Sequence, residues 1–302
     1  MTWQTFLELV EIKAKIASIW PFLLGLIFVQ ANLGRIDWAT SGWFFLAMVL
    51  FNMAVDINDN FQDYRRAGTQ AADWKKRTNI IGVHGLSMRL VGGLMVTFAG
   101  VAAVICLGLV WMTGWPLLTM GIFCFAVGYA YAGGPRPLSS TPTGEFFAGF
   151  TMGYMIMLIT VYLNIYNRGG LSWSLAGRVF LAAGVAVMAI AALLLANNIC
   201  DEGEDRQLAR RTIVYYLGKQ RSLWLFAGFY IVGYVLLILS IWRGDLPRWS
   251  YLALISILPV AQNIRRFFQR QVKRETFILA VRNLAILALT TVIAEALGLW
   301  FG

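Results

Sequence analysis

Residues 90–112 read Leu90-Val-Gly-Gly-Leu-Met-Val-Thr-Phe-Ala-Gly-Val-Ala-Ala-Val-Ile-Cys-Leu-Gly-Leu-Val-Trp-Met112, a run without one charged side chain. A helix rising ~1.5 Å per residue crosses a hydrocarbon core of roughly 30 Å in about 20 residues, so this stretch is long enough to span a bilayer. Eight more predominantly apolar runs fall at 16–33, 42–60, 115–133, 144–165, 175–199, 222–242, 249–264 and 278–299. Of the 302 residues, 59% are hydrophobic and 13% charged, whereas a soluble domain carries about 25% charged residues. Mean hydropathy is +0.67. A water-soluble globule is excluded, and the fold expected is all-α: a polytopic membrane protein, a bundle of nine transmembrane helices around a central cavity, in a single domain over 1–302. Lys13 and Lys15 before Ile16–Ala31 have the look of a signal peptide, but the many later spans make this an uncleaved first helix.

The net charge of +10 would point to nucleic acid in a soluble chain. Here the charges lie between spans, where they set orientation, and no nucleic-acid partner is expected. With the N-terminus cytoplasmic, the loops on that side hold 20 of the 25 Lys and Arg, the opposite side keeping Arg35, Arg168, Arg178, Arg243 and Arg248. The expected location is therefore the cell membrane, multi-pass, with a cytoplasmic N-terminus. Cys106, Cys124 and Cys200 are odd in number and contain no CxxC pair, so neither a disulfide framework nor a zinc site is expected.

Topology does not account for the acids. Asp56, Asp59, Asp63, Asp201, Glu202, Glu204 and Asp205 crowd the cytoplasmic ends of the second and sixth runs, where carboxylates cost insertion energy and do nothing for orientation. The second run ends Asn52-Met-Ala-Val-Asp56-Ile-Asn-Asp59-Asn-Phe-Gln-Asp63. On a helix, steps of 4, 3 and 4 stack Asn52 and the three carboxylates on one face. The sixth ends Asn197-Asn198-Ile-Cys-Asp201-Glu-Gly-Glu-Asp205, again an Asn four residues before an Asp. Asn52 to Asn197 and Asp56 to Asp201 are both offsets of 145, and each motif is trailed by a basic pair and Thr, Lys76-Arg77-Thr78 and Arg210-Arg211-Thr212. This reads as an internal duplication, with motif-bearing parts at about 1–140 and 141–302.

Hard oxygen donors without His or Cys select Mg²⁺ or Mn²⁺ over zinc or copper. Magnesium takes one or two carboxylates per ion and completes its shell with water and phosphate oxygens. Two Asp clusters trailed by cations thus suit a diphosphate. The expected metal ligands and catalytic carboxylates are Asp56, Asp59, Asp63, Asp201 and Asp205. Asn52, Asn197, Asn198, Lys76, Arg77, Arg136 and Arg211 are expected on the diphosphate, since charge-assisted hydrogen bonds hold phosphate oxygens. An apolar interior behind such a site invites an isoprenoid diphosphate whose tail lies among the helices, within membrane lipid.

The runs, the Asp56-x-x-Asp59-x-x-x-Asp63 motif and the Asp201-x-x-x-Asp205 motif resemble the UbiA-type intramembrane prenyltransferases, over essentially the whole chain. Asn197 to Arg206, followed by Arg211-Thr212 and Leu217-Gly218, is similar to the second motif of the 1,4-dihydroxy-2-naphthoate polyprenyltransferase branch. So is Tyr131-Ala-Gly-Gly134-Pro135-Arg136-Pro137-Leu138, continuing to Gly144-Glu145. Val55 stands where relatives often carry Asn, which leaves Asn52 or Asn58 to supply the polar ligand. The resemblance implies Mg²⁺-dependent transfer of a polyprenyl group from its diphosphate to 1,4-dihydroxy-2-naphthoate, with decarboxylation to demethylmenaquinone. Other acceptors in the same family are 4-hydroxybenzoate, homogentisate and haem or chlorophyll precursors. A cation transporter would place its carboxylates near the midplane, whereas these lie at span ends. His84 is expected to be a solvated loop residue, and Glu295, inside the ninth run, interfacial or paired.

Overall fold

The computed structural model describes residues 1–66, 78–207 and 210–301, and every regular element among them is helical. In chain order these are α1 (Trp3–Leu9), α2 (Ile16–Leu33), α3 (Trp38–Arg66), α4 (Ile80–Val83), α5 (Met88–Thr113) and α6 (Trp115–Ala132). Then follow α7 (Gly144–Tyr162), α8 (Trp173–Cys200), α9 (Glu202–Gln207), α10 (Ile213–Leu217), α11 (Lys219–Trp242), α12 (Ile257–Gln269) and α13 (Phe277–Phe301). Eight of them (α2, α3, α5, α6, α7, α8, α11 and α13) are long and apolar enough to cross a membrane. The chain is a multi-pass membrane protein. The run expected at 249–264 is built differently, as a 3-10 segment, Arg248–Ser256, that passes into α12. α12 buries Val260, Asn263 and Phe267 at steps of three and four, the pattern of a helix with one covered face, and leaves Arg265 and Arg266 exposed.

The chain packs as two compact units, one of residues 1–15 and 42–139, the other of 16–41 and 140–302. In the first, Leu9, Val10, Ile57, Ile81 and Val91 form a buried cluster against which Met53, Phe61 and Tyr64 of α3 also pack. Met53, Ile57, Phe61 and Tyr64 recur at steps of four, four and three, so α3 has one apolar stripe that fixes its rotation. The α5–α6 corner turns at Gly114, whose φ of +96° disfavours a side chain. Pro116 follows in the first turn of α6, where a missing N–H costs nothing. Val96, Val104 and Leu107 of α5 are exposed, as a surface solvated by lipid tails can be.

The second unit is built around α8, which packs against α7, α11 and α13. Its alanines, among them Ala182, Ala183, Ala186, Ala189 and Ala192, are buried, and small side chains let neighbouring backbones close in. α7 answers with Gly149 and Gly153: a Cβ on Gly153 would lie 2.7 Å from the Val187 backbone and one on Gly149 2.5 Å from the Val187 carbonyl. These glycines lie in a π-helical stretch, Gly149–Met155. Trp20 of α2 donates its indole N–H to Thr291 of α13 at 2.9 Å. At the end of α8 remote from Cys200, the Arg178 guanidinium pairs with Asp245 and donates to Asn32 at 2.5 Å.

Gly153→Ala is expected to destabilise the detergent-solubilised protein by about 1–3 kcal/mol, the usual cost of overpacking a tight contact. Gly177→Ala, where a Cβ meets nothing within 4 Å, serves as control. Thermal unfolding read by loss of monodisperse protein checks both, and equal midpoints would remove the close α7–α8 contact as a determinant of stability.

Candidate active site

The first acidic motif belongs to the first unit. α3 runs on as one helix through Asn52, Asp56, Asp59 and Asp63 to Arg66, so the four polar groups share a face as their spacing requires. That face is set roughly 100° around the helix from the stripe of Met53, Ile57 and Phe61, so the packing of the apolar stripe aims the carboxylates. All four motif side chains are half-buried. The Lys15 ammonium donates to Asn52 Oδ1 at 2.5 Å and pairs with Asp56. Lys15 stands at the end of the 3-10 turn Ile12–Lys15 and is itself buried. Asn58 is engaged elsewhere, reaching the Tyr129 carbonyl and accepting from Gln62. Asn52 is therefore the amide that shares the Lys15 ammonium with Asp56.

The second motif belongs to the second unit. α8 ends at Cys200, Asp201 caps it, and α9 starts at Glu202. The backbone ladder continues through the cap: Asp201 N–H donates to Asn197 at 3.0 Å and Asp205 N–H to Asp201 at 2.8 Å. Asn197, Asp201 and Asp205 thus keep one-turn spacing across the break. Asn197 Nδ2 donates to Asp201 Oδ2 at 3.1 Å. The Lys273 ammonium, from the connection between α12 and α13, donates to the same Asp201 oxygen at 2.5 Å and to Asn197 Oδ1. One turn on, Arg210 lies 3.3 Å from Asp205 Oδ1, while Asp205 Oδ2 is buried with no hydrogen-bond partner among the described residues. Burial pushes the Asp205 carboxyl up to about 6, with Arg210 opposing the rise and Asp201 adding to it. Asn198 turns the other way and donates to Glu145 at 2.9 Å. Glu145 keeps its second oxygen buried and without a partner among the described residues.

The two motifs therefore share a local geometry. In each, an Asn and the Asp one turn later close on a lysine ammonium. An oxygen pair that already holds a cation fits a hard divalent ion, and Asp59 on the α3 face and Asp205 one turn beyond Asp201 extend each donor set. Among the described residues no three His, Cys, Asp or Glu side chains converge on one point, so water and phosphate oxygens would complete the shell of an ion held here.

Lys76 and Arg77 lie outside the described residues. Arg136 is exposed in the turn after α6, where Gly134 has φ +76° and its carbonyl accepts from Arg66 at 2.8 Å. Arg211 is exposed, with its guanidinium 5.7 Å over the Tyr215 ring and its backbone N–H on the Ser140 carbonyl; its neighbour Arg210 is the residue that meets the acids. His84 is half-exposed and pairs with Glu8 at 3.1 Å. Glu295 is neither interfacial nor paired: it is fully buried in α13 and both its oxygens lack partners among the described residues. Lys15, Lys273 and Glu145 were not distinguishable as site residues by spacing. Lys15 stands 37 and 41 residues from Asn52 and Asp56, and Lys273 76 and 72 residues from Asn197 and Asp201, and each reads in sequence as an ordinary loop cation.

Comparison with known proteins places the fold in a family. The model of the UbiA prenyltransferase family matches residues 18–287. A 1,4-dihydroxy-2-naphthoate octaprenyltransferase of Bacillus subtilis (strain 168) is 26% identical over 259 residues, covering 84% of this chain and 79% of the relative. Among solved structures, the apo form of a UbiA homolog from Aeropyrum pernix K1 superposes with a TM-score of 0.70 at 17% identity, over 91% of this chain and 97% of that one. A UbiA homolog from Archaeoglobus fulgidus bound to GPP and Mg²⁺ gives 0.60 at 11% identity, over 98% and 99%. With its helical fold and two acidic motifs, this chain belongs to the UbiA prenyltransferase family.

Proposed function

We propose that this prenyltransferase moves a polyprenyl group from its diphosphate to 1,4-dihydroxy-2-naphthoate, releasing pyrophosphate and CO₂ and forming the quinol of demethylmenaquinone, which a separate two-electron oxidation converts to the quinone. The observation that carries the reading is the repeated Asn/Asp pair holding a cation, once in each unit. The naming of the Bacillus subtilis relative supports the acceptor, and the Archaeoglobus fulgidus homolog bound to GPP and Mg²⁺ supports the donor and the metal. The enzyme works in the cell membrane with its N-terminus and both motifs cytoplasmic, the side on which 20 of its 25 Lys and Arg would then lie.

Asp56, Asp59 and Asp63 of one motif, and Asp201 and Asp205 of the other, hold Mg²⁺, with Mn²⁺ as a substitute. When bound, the ion neutralises charge on the departing diphosphate. The other roles fall to the chain itself. Asn52 and Asn197 orient the first carboxylate of each motif, as Asn197 does through its hydrogen bond to Asp201. Asn198 holds Glu145, and so keeps a buried carboxyl beside the second motif. Arg136, Lys76, Arg77 and the cations near the second motif bind diphosphate oxygens. The apolar helices exclude water from the allylic carbon, which otherwise would be hydrolysed. The bond between the prenyl carbon and the diphosphate oxygen breaks, and its electron pair leaves with pyrophosphate. The ring carbon bearing the carboxylate then bonds to the prenyl carbon, and the electron pair of the departing carboxylate restores the aromatic ring.

Purified protein given Mg²⁺, a polyprenyl diphosphate and a panel of aromatic acids is expected to yield, by mass, the decarboxylated naphthoate adduct. Product with 4-hydroxybenzoate and none with the naphthoate would overturn the acceptor. Asp59→Ala and Asp201→Ala are each expected to lower kcat/KM by about 10²–10³, as loss of a preorganised electrostatic group does. Unchanged turnover in either would remove that residue from the site. Arg136→Ala is expected to raise KM for the prenyl diphosphate at least about tenfold, the loss of one charged hydrogen bond, with kcat little changed; steady-state kinetics at saturating acceptor read this directly.

A further inference from the structure

We propose that Lys15 and Lys273 are resident counterions, and that metal binding at each motif is an exchange: the divalent ion takes the Asn/Asp oxygens and the displaced ammonium moves onto the diphosphate. The inference rests on the metal role proposed above for Asp56 and Asp201.

The two contacts are alike in chemistry and independent in origin. Lys15 bridges Asn52 Oδ1 and Asp56 Oδ2 within the first unit. Lys273 bridges Asn197 Oδ1 and Asp201 Oδ2 within the second. The motifs are related by a constant offset of 145 residues, yet the lysines do not follow it, one preceding its motif and the other following it. The same oxygen pair has thus been met by a lysine from two unrelated stretches of chain, which marks the pair as a cation seat in its own right.

Charge forbids joint occupancy. An ammonium in contact with the same carboxylate oxygen as a divalent ion would face it at a few ångströms, and like charges at that separation repel strongly. An unpaired carboxylate at the edge of an apolar core is costly as well, so the lysine has a stabilising part to play whenever no metal is present. A lysine suits both states because its charge sits on a flexible four-carbon stem with three donors. Arriving with diphosphate, the ion brings phosphate oxygens next to the seat, and these can accept the donors that the carboxylate has lost.

The test is the sign of an effect on metal affinity, measured without substrate. Mn²⁺ binding to the whole detergent-solubilised protein is titrated by electron paramagnetic resonance, in wild type, Lys273→Gln, Lys15→Gln and Asp201→Asn. Lys273 is 43% exposed, so Lys273→Gln should fold; Lys273→Arg, which retains a charge at the seat, is its companion. Exchange predicts that Lys273→Gln binds Mn²⁺ roughly tenfold more tightly than wild type, the size of effect that one adjacent charge has on a carboxylate, while Lys273→Arg stays close to wild type. With Mn²⁺ present, the same Lys273→Gln protein should bind inorganic pyrophosphate more weakly. If Asp201→Asn loses Mn²⁺ but Lys273→Gln binds it no better than wild type, exchange is wrong and the metal role of Asp201 stands. If Asp201→Asn binds Mn²⁺ as wild type does, the metal role fails and exchange fails with it.

Discussion

A carboxylate at the end of a membrane span needs a positive partner. This chain meets the requirement at Asp56 with Lys15 and at Asp201 with Lys273. Much of the surrounding structure serves those two contacts. In the first unit, the stripe of Met53, Ile57 and Phe61 packs on Leu9, Val10 and Ile81, which fixes α3 in rotation and brings the turn that ends in Lys15 alongside it. In the second, the close approach of α7 at Gly149 and Gly153 seats α8, and the break at Asp201 delivers the motif to the surface where Lys273 arrives.

Prenyl transfer asks two things of such a site that conflict. Diphosphate and its metal need polar, hydrated ligands, whereas the allylic cation needs water kept away. At the proposed site these demands fall at different levels along the helix axis. Polar groups gather in the last turns of α3 and α8, and the preceding turns of α8 are lined with alanine, valine and isoleucine. The Asp205 carboxyl, in α9 beyond these turns, is buried and pushed up to about 6.

The apolar runs and the two motifs were legible because both are local. Span length follows from bilayer thickness, and Asn52, Asp56, Asp59 and Asp63 declare a shared face by helical periodicity alone. The run at 249–264 was harder, because hydropathy cannot tell a uniformly apolar helix from a 3-10 segment leading into an amphipathic one; the pattern of Val260, Asn263 and Phe267 shows it only once their common face is known. Partners that depend on long-range packing left no trace in the spacing. Lys15 and Lys273 looked like topology signals, Arg210 could not be separated from Arg211, and Glu295, fully buried, gave no sign that it would stand without a partner among the described residues. Lys76 and Arg77 lie outside the residues on which the structure bears.

Lys15 also occupies a special place in the covalent chain. It is the last residue of the first unit's N-terminal segment, and Ile16, its neighbour, opens α2 in the second unit. The residue that grips Asn52 and Asp56 is therefore one peptide bond from a helix whose Trp20 donates to Thr291. The cation at the first motif and the first residue of α2 are thus consecutive in the covalent chain, with no linker between them.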